Sequence, residues 1–92
     1  MTNQKIHDTK YNLLVQDFIT AMQKVMEFGA EKHGAWDWKE RDNTYINDRM
    51  RAILSHYSKI VAGEWVDESG QTHLAHIAAN AMIIDELAKQ QK

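Results

Sequence analysis

Apolar residues fall at three- and four-residue steps in three separate stretches of this chain, and no stretch alternates clearly in the manner of a strand. The first series is Leu14, Phe18, Met22, Val25 and Met26. The second is Ile46, Met50, Ile53, Leu54, Tyr57, Ile60 and Val61; the third is Leu74, Ile77, Ala78, Ala81, Ile84 and Leu87. Such spacing marks one face of an amphipathic helix. The 92 residues contain no proline to interrupt it. The pattern predicts an all-α fold with three principal helices. The first runs from Tyr11 to about Lys32, the second from a cap at Asn43 or Thr44, and the third from a cap at Thr72 to about Lys89. Gly34 and Gly63 stand where C-terminal caps are wanted. Gly29 lies inside the first helix, at a cost of ~1 kcal/mol relative to alanine. A close helix contact or a ligand would give it a use; drift is the alternative.

Short loops between helices make an antiparallel bundle. A chain of 92 residues forms one domain with a thin core. The expectation is therefore a small helical bundle completed by oligomerisation, as a homodimer or homotetramer. Residues 1–10 read as a polar arm and residues 11–92 as a single helical domain. The arm reads either as disordered or as draped over a partner.

Composition removes several classes of function. The net charge of -2 and a pI of about 6.2 argue against a nucleic-acid polymer as partner. With no cysteine there is no disulfide framework and no thiolate metal site. No apolar run approaches the ~20 residues that cross a bilayer. The opening MTNQKIHDTK lacks the apolar segment of a signal peptide, so a cytoplasmic protein is expected.

Polar chemistry concentrates in GEWVDESGQTHLAHIAANA, Gly63 to Ala81. His73, His76 and Asn80 fall three and four residues apart, on one helical face, with Asp67 in the loop before them. Two imidazoles at this spacing suit a transition metal. They also suit phosphate oxygens, with Asn80 as an orienting group, or an internal polar network that holds the loop. A second constellation, Glu27 and Glu31, shares a face of the first helix. It reads either as a chelate for a hard cation or as a solvated face balanced by Lys24 and Lys32. Trp36, Trp38 and Trp65 lie in loops, as stacking platforms for a base or as lids on the core. Lys32, Lys39, Arg41, Arg49 and Arg51 are available to phosphate. Arg49 shares a face with Ile53, His56 and Ile60, which aims it inward, whereas Arg51 points to solvent or toward Ser55. There is no Walker A loop, GxGxxG, HExxH or GxSxG, and no serine placed as a nucleophile.

The segments FGAEKHGAWDWKE, RAILSHYSKIVAGE and DESGQTHLAHIAANAMIIDEL resemble the N-terminal domain of phage and bacterial dATP/dGTP diphosphohydrolases. The likeness covers about residues 11–88. That family is in turn similar to the all-α MazG-like nucleoside triphosphate pyrophosphohydrolases. The resemblance implies a metal-dependent hydrolase of purine nucleoside triphosphates, with Mg2+ or Mn2+ as cofactor and a phage-encoded origin. It implies Glu27, Glu31, Asp67 and His73 as catalytic residues and Glu27, Glu31, His73 and His76 as metal ligands. Lys32, Trp38, His56, His76, Asn80 and Arg49 would contact the nucleotide.

Three departures from the family pattern bear on activity. Ser55 stands beside His56 where the family carries arginine, and Asp37 replaces the asparagine before Trp38. The second acidic pair of MazG-like enzymes is missing, which weakens binding of hard cations. A second expectation follows: a nucleotide-binding module that sequesters its ligand unchanged, a cyclic or ADP-ribose signal of host defence included. A third is an assembly protein whose His/Asn face is an oligomer interface.

Overall fold

The computed structural model describes residues 14–90. The polar arm 1–10 and the expected helix start at Tyr11 lie outside the described residues. Helix α1 spans Gln16–His33, a 3-10 turn spans Asp37–Glu40, α2 spans Asn43–Val61 and α3 spans His73–Gln90. The described residues thus form an all-α bundle of three principal helices, as the periodicity predicts. The one isolated bridge among them, Val66 to Thr72, closes the α2–α3 loop.

The helix ends follow from local hydrogen bonding. Leu14 and Val15 precede α1 as exposed residues, and no side chain caps its start. Gly34, at φ 97°, ends α1 with its N–H donating to the Ala30 carbonyl. The cap of α2 is Asp42, not Asn43 or Thr44: its carboxylate accepts from the Thr44 and Tyr45 N–H groups at 3.1 and 3.4 Å. Aspartate and asparagine cap about equally well, so the sequence left a register of one residue open.

At the other end of α2, Gly63 N–H donates to Ile60 and Glu64 N–H to Lys59, both at 2.9 Å. This is a Schellman motif, and Gly63 takes the positive φ it requires. The Thr72 hydroxyl caps α3 by accepting from Ala75 N–H at 3.1 Å, as expected.

Helix α3 is the hub: α2, α1 and the 3-10 turn all pack on it. Its buried face carries His73, Ala75, Ala79, Asn80, Ile83 and Leu87. The expected packing face was different. Leu74 and Ala81 are exposed, and of that series Leu87 alone is fully buried. The alanines bring backbones close, and the polar residues face inward because they partner one another.

Among the described residues the apolar core cluster is Trp38, Ile46, Ile83 and Leu87, flanked by Met26, Tyr45 and Ile84. Helix α1 has no fully buried residue. Helix α2 divides its apolar residues between two faces. Ile46 is buried and Ile53 and Ile60 are half-buried, while Met50, Leu54, Tyr57 and Val61 are 47–69% exposed.

Candidate functional site

The α2–α3 loop and two helices converge on a cluster of polar side chains. The Schellman turn fixes where the chain leaves α2 and so sets Glu64. Beyond it, Asp67 builds a tight turn: its carboxylate accepts from Ser69 N–H at 3.0 Å, and Gly70, at φ 89°, donates its N–H to the Asp67 carbonyl. An aspartate that hydrogen-bonds the backbone two residues on is a preferred turn former. The turn aims Asp67 at the first turn of α3, where His73 and His76 begin the helix. His56 meets them from α2.

The contacts form one network. His73 is wholly buried. Its Nε2 lies 2.8 Å from a Glu64 carboxylate oxygen, and its Nδ1 lies 2.8 Å from Nδ1 of His56. Nε2–H donates to the acceptor-only carboxylate, so neutral His73 keeps a lone pair on Nδ1 that accepts from His56. The ring of His56 stacks on His76 at 4.7 Å. His76 Nε2 is 2.8 Å from the Ser69 hydroxyl and 3.3 Å from Asp67.

The electrostatics follow from burial and neighbours. Burial lowers the pKa of His56, and His76 and His73 lower it further. Burial also lowers His76, against the pull of Asp67. For Asp67, burial alone would raise the carboxyl. The Ser69 hydrogen bonds and the two histidines outweigh it and hold it below the ordinary value. Both imidazoles therefore favour the neutral form, the form that ligates metals.

Next to this network, Arg49 on α2 donates to Asn80 at 3.2 Å, and Asn80 donates to the His76 carbonyl at 3.0 Å. The Arg49 guanidinium lies over Tyr45, and its Nε is buried without a partner. A cleft of about 370 Å³ opens there between α1 and the α2–α3 pair. Lys32, Arg41, Arg49, His56, His76 and Asn80 all line it. A second cleft of about 550 Å³ is mainly apolar, with Met22, Met26, Trp36, Trp38 and Met82 on its walls. The two share Met26, Ala30, Ala35 and Trp38. Arg41, raised above its ordinary pKa by a hydrogen bond to Asp37, is held on the cleft rim by that ion pair.

The expected site residues are thus placed in two groups. His56, Asp67, His73, His76, Asn80 and Arg49 come together, with Lys32 across the cleft and Trp38 buried between the two clefts. Glu27 and Glu31 are not brought to the histidines. Both are exposed on α1; Glu27 accepts from Gln23 and lines the apolar cleft, and Glu31 lines neither cleft. Arg51 pairs with Asp48 at the surface.

Glu64 and Ser69 join the network without belonging to either constellation read from the sequence, although both stand in the GEWVDESG stretch. The signal for them was available: a glutamate after a helix-ending glycine, and a serine two residues after an aspartate. Among the described residues, one set of three His, Asp or Glu side chains could hold a metal ion, namely His56, Asp67 and His73. No helix among those residues is long and apolar enough to cross a membrane.

No curated protein matches the chain, and no solved structure does. A family model does match it, over residues 2–92, so the chain belongs to the dATP/dGTP diphosphohydrolase N-terminal domain family.

Proposed function

We propose that the chain hydrolyses purine (deoxy)nucleoside triphosphates to the monophosphate and pyrophosphate. The family name supplies the substrate class. The observation that carries the reading is the pair of clefts sharing Trp38, one apolar and aromatic, the other lined with Lys32, Arg41 and Arg49. A purine needs a flat apolar wall, and a triphosphate needs fixed cations. Trp38 forms the buried wall between the base and phosphate clefts, Arg49 and Lys32 hold phosphate oxygens, and His76 contributes a hydrogen bond. Asn80 orients Arg49. Water adds to the α-phosphorus, the bond to the bridging oxygen of the β-phosphate breaks, and pyrophosphate leaves.

A divalent ion, Mg2+ or Mn2+, belongs to this reading; when bound it neutralises phosphate charge and activates water. Glu27 and Glu31 are the carboxylates that would hold it; they stand exposed on α1, Glu27 on the apolar cleft and Glu31 on neither, so water and the nucleotide's own phosphates would have to complete the shell. Glu27→Ala and Glu31→Ala should abolish turnover with the helical content intact, and full activity in both would remove these residues from the mechanism. A second copy of the chain is part of the proposal too. Met50, Leu54, Tyr57 and Val61 are spaced four, three and four residues apart, the step of a helix–helix seam.

One observation favours sequestration instead. Arg49 already bonds Asn80, His56 bonds His73 and His73 bonds Glu64, and Glu27 and Glu31 belong to no metal-capable set among the described residues. Thermal shift against a nucleotide panel, with magnesium, manganese or EDTA, separates the readings, because a ligand that binds the folded state raises its apparent stability. Metal-dependent stabilisation by a purine triphosphate, with monophosphate recovered by chromatography, supports hydrolysis. Metal-independent stabilisation with the ligand unchanged supports sequestration.

A further inference from the structure

We infer that His56, His73 and Asp67 form a binding site for a first-row transition-metal ion, one that accepts zinc and cobalt and discriminates against magnesium. Their candidate ligand atoms lie within 4.8 Å of one another. Two imidazoles and one carboxylate make a donor set for transition metals, whereas magnesium demands oxygen ligands in octahedral array.

Each of the three is held for the task by a partner. His73 is wholly buried and gives Nε2–H to Glu64, which leaves Nδ1 as the ligating atom. A carboxylate behind a metal-binding histidine is the usual outer support of such sites. Asp67 commits Oδ2 to Ser69 and turns Oδ1 toward Nδ1 of His73, 3.9 Å away. His56 presents Nδ1 to the same point from α2, 2.8 Å from Nδ1 of His73.

Metal–nitrogen bonds of about 2.0–2.1 Å set two tetrahedral ligands roughly 3.3 Å apart. The imidazoles therefore need to part by about half an ångström. Binding also requires His56 to carry its proton on Nε2, a tautomer change that releases no proton. His56 is half-buried and lines the cationic cleft, so it has room for both adjustments. Three protein ligands with a free coordination position are the pattern of reactive sites, and His56 puts this one on the cleft wall.

The site needs no nucleotide, so its test stands apart from the hydrolysis reading. The whole chain is stripped with a chelator and titrated with Co2+ while its visible absorption is followed. The expected result is a set of ligand-field bands that saturates at one ion per chain. Zn2+ abolishes the bands and excess Mg2+ leaves them unchanged. His56→Gln and Asp67→Asn should lose the bands with circular dichroism unchanged. Glu64→Gln, at a largely exposed side chain, should weaken binding at least roughly tenfold. Absence of bands in the wild-type protein, or folded variants that bind as it does, would overturn the site.

Discussion

The imidazole of His73 is wholly buried, and the Glu64 carboxylate that receives its Nε2–H at 2.8 Å is more than half exposed. A buried donor is thus satisfied from the surface. Replacing Glu64 with alanine removes the acceptor and admits water to one edge of His73. The expected loss is about 1 kcal/mol, below the usual value for a hydrogen bond to a charged group because the carboxylate faces solvent. His73→Ala empties a fully buried position as well and should cost roughly 2–4 kcal/mol. Urea denaturation of the metal-free protein measures both. Equal losses would mean that Glu64 alone accounts for the contribution of His73.

The histidine cluster gives the metal-free fold a pH dependence of definite sign. The groups facing it are Glu64, Asp67, His73 and Lys59. His56 and His76 have folded pKa values lowered from the ordinary 6.5. Between folded and unfolded values the unfolded chain binds more protons, so stability rises with pH there. The contribution is complete above about 6.5 and is lost as pH falls through the folded values. Asp67 acts in the same direction at lower pH, since its carboxyl is held below 3.8. Melting with EDTA present should give a steady Tm near neutrality and a falling one below about pH 6.5. His56→Gln should shallow that fall. A Tm that rose on acidification would contradict the burial of these rings in neutral form.

Leu87 and Leu54 carry the same side chain in opposite environments, 1% and 64% exposed. Leu87→Ala should destabilise by roughly 2–5 kcal/mol, the range for a buried leucine. Leu54→Ala should stay within about 0.5 kcal/mol in a monomer. If a second copy covers the α2 stripe, Leu54→Glu shifts the mass measured by light scattering to that of one chain. An unchanged mass removes this stripe as the interface.

Helix number and most helix ends were legible because they depend on local chemistry. Thr72 and Gly34 act within one turn of chain, and the same rules misplace the α2 cap by a single residue. The packing face of α3 was not legible. Hydropathy favours Leu74 and Ile77, but the inward face carries His73 and Asn80, whose burial depends on Glu64, His56 and Arg49 from other segments. Periodicity cannot weigh a polar residue whose partner is 17 or 31 positions away. The same limit separates Glu27 and Glu31 from the histidines. Their four-residue spacing puts both on one face of α1 and says nothing of which way that face turns.

Arg49 is the residue on which the nucleotide reading turns most sharply. It reaches the cationic cleft from α2, held by Asn80 on one side and Tyr45 on the other, with Nε buried and unpartnered. A planar guanidinium held this way can offer two parallel N–H donors to a phosphate, which an ammonium cannot. Arg49→Lys keeps the charge and loses that geometry; Arg49→Met keeps the stem and loses both. Nucleotide affinity, measured by calorimetry with a triphosphate, should fall roughly tenfold in the lysine variant and further in the methionine variant. Asn80→Ala should mimic the lysine variant, because it frees Arg49 without removing charge. If both Arg49 variants bound triphosphate as the wild type does, the phosphates would not lie in this cleft, and the paired-cleft reading would fail with them.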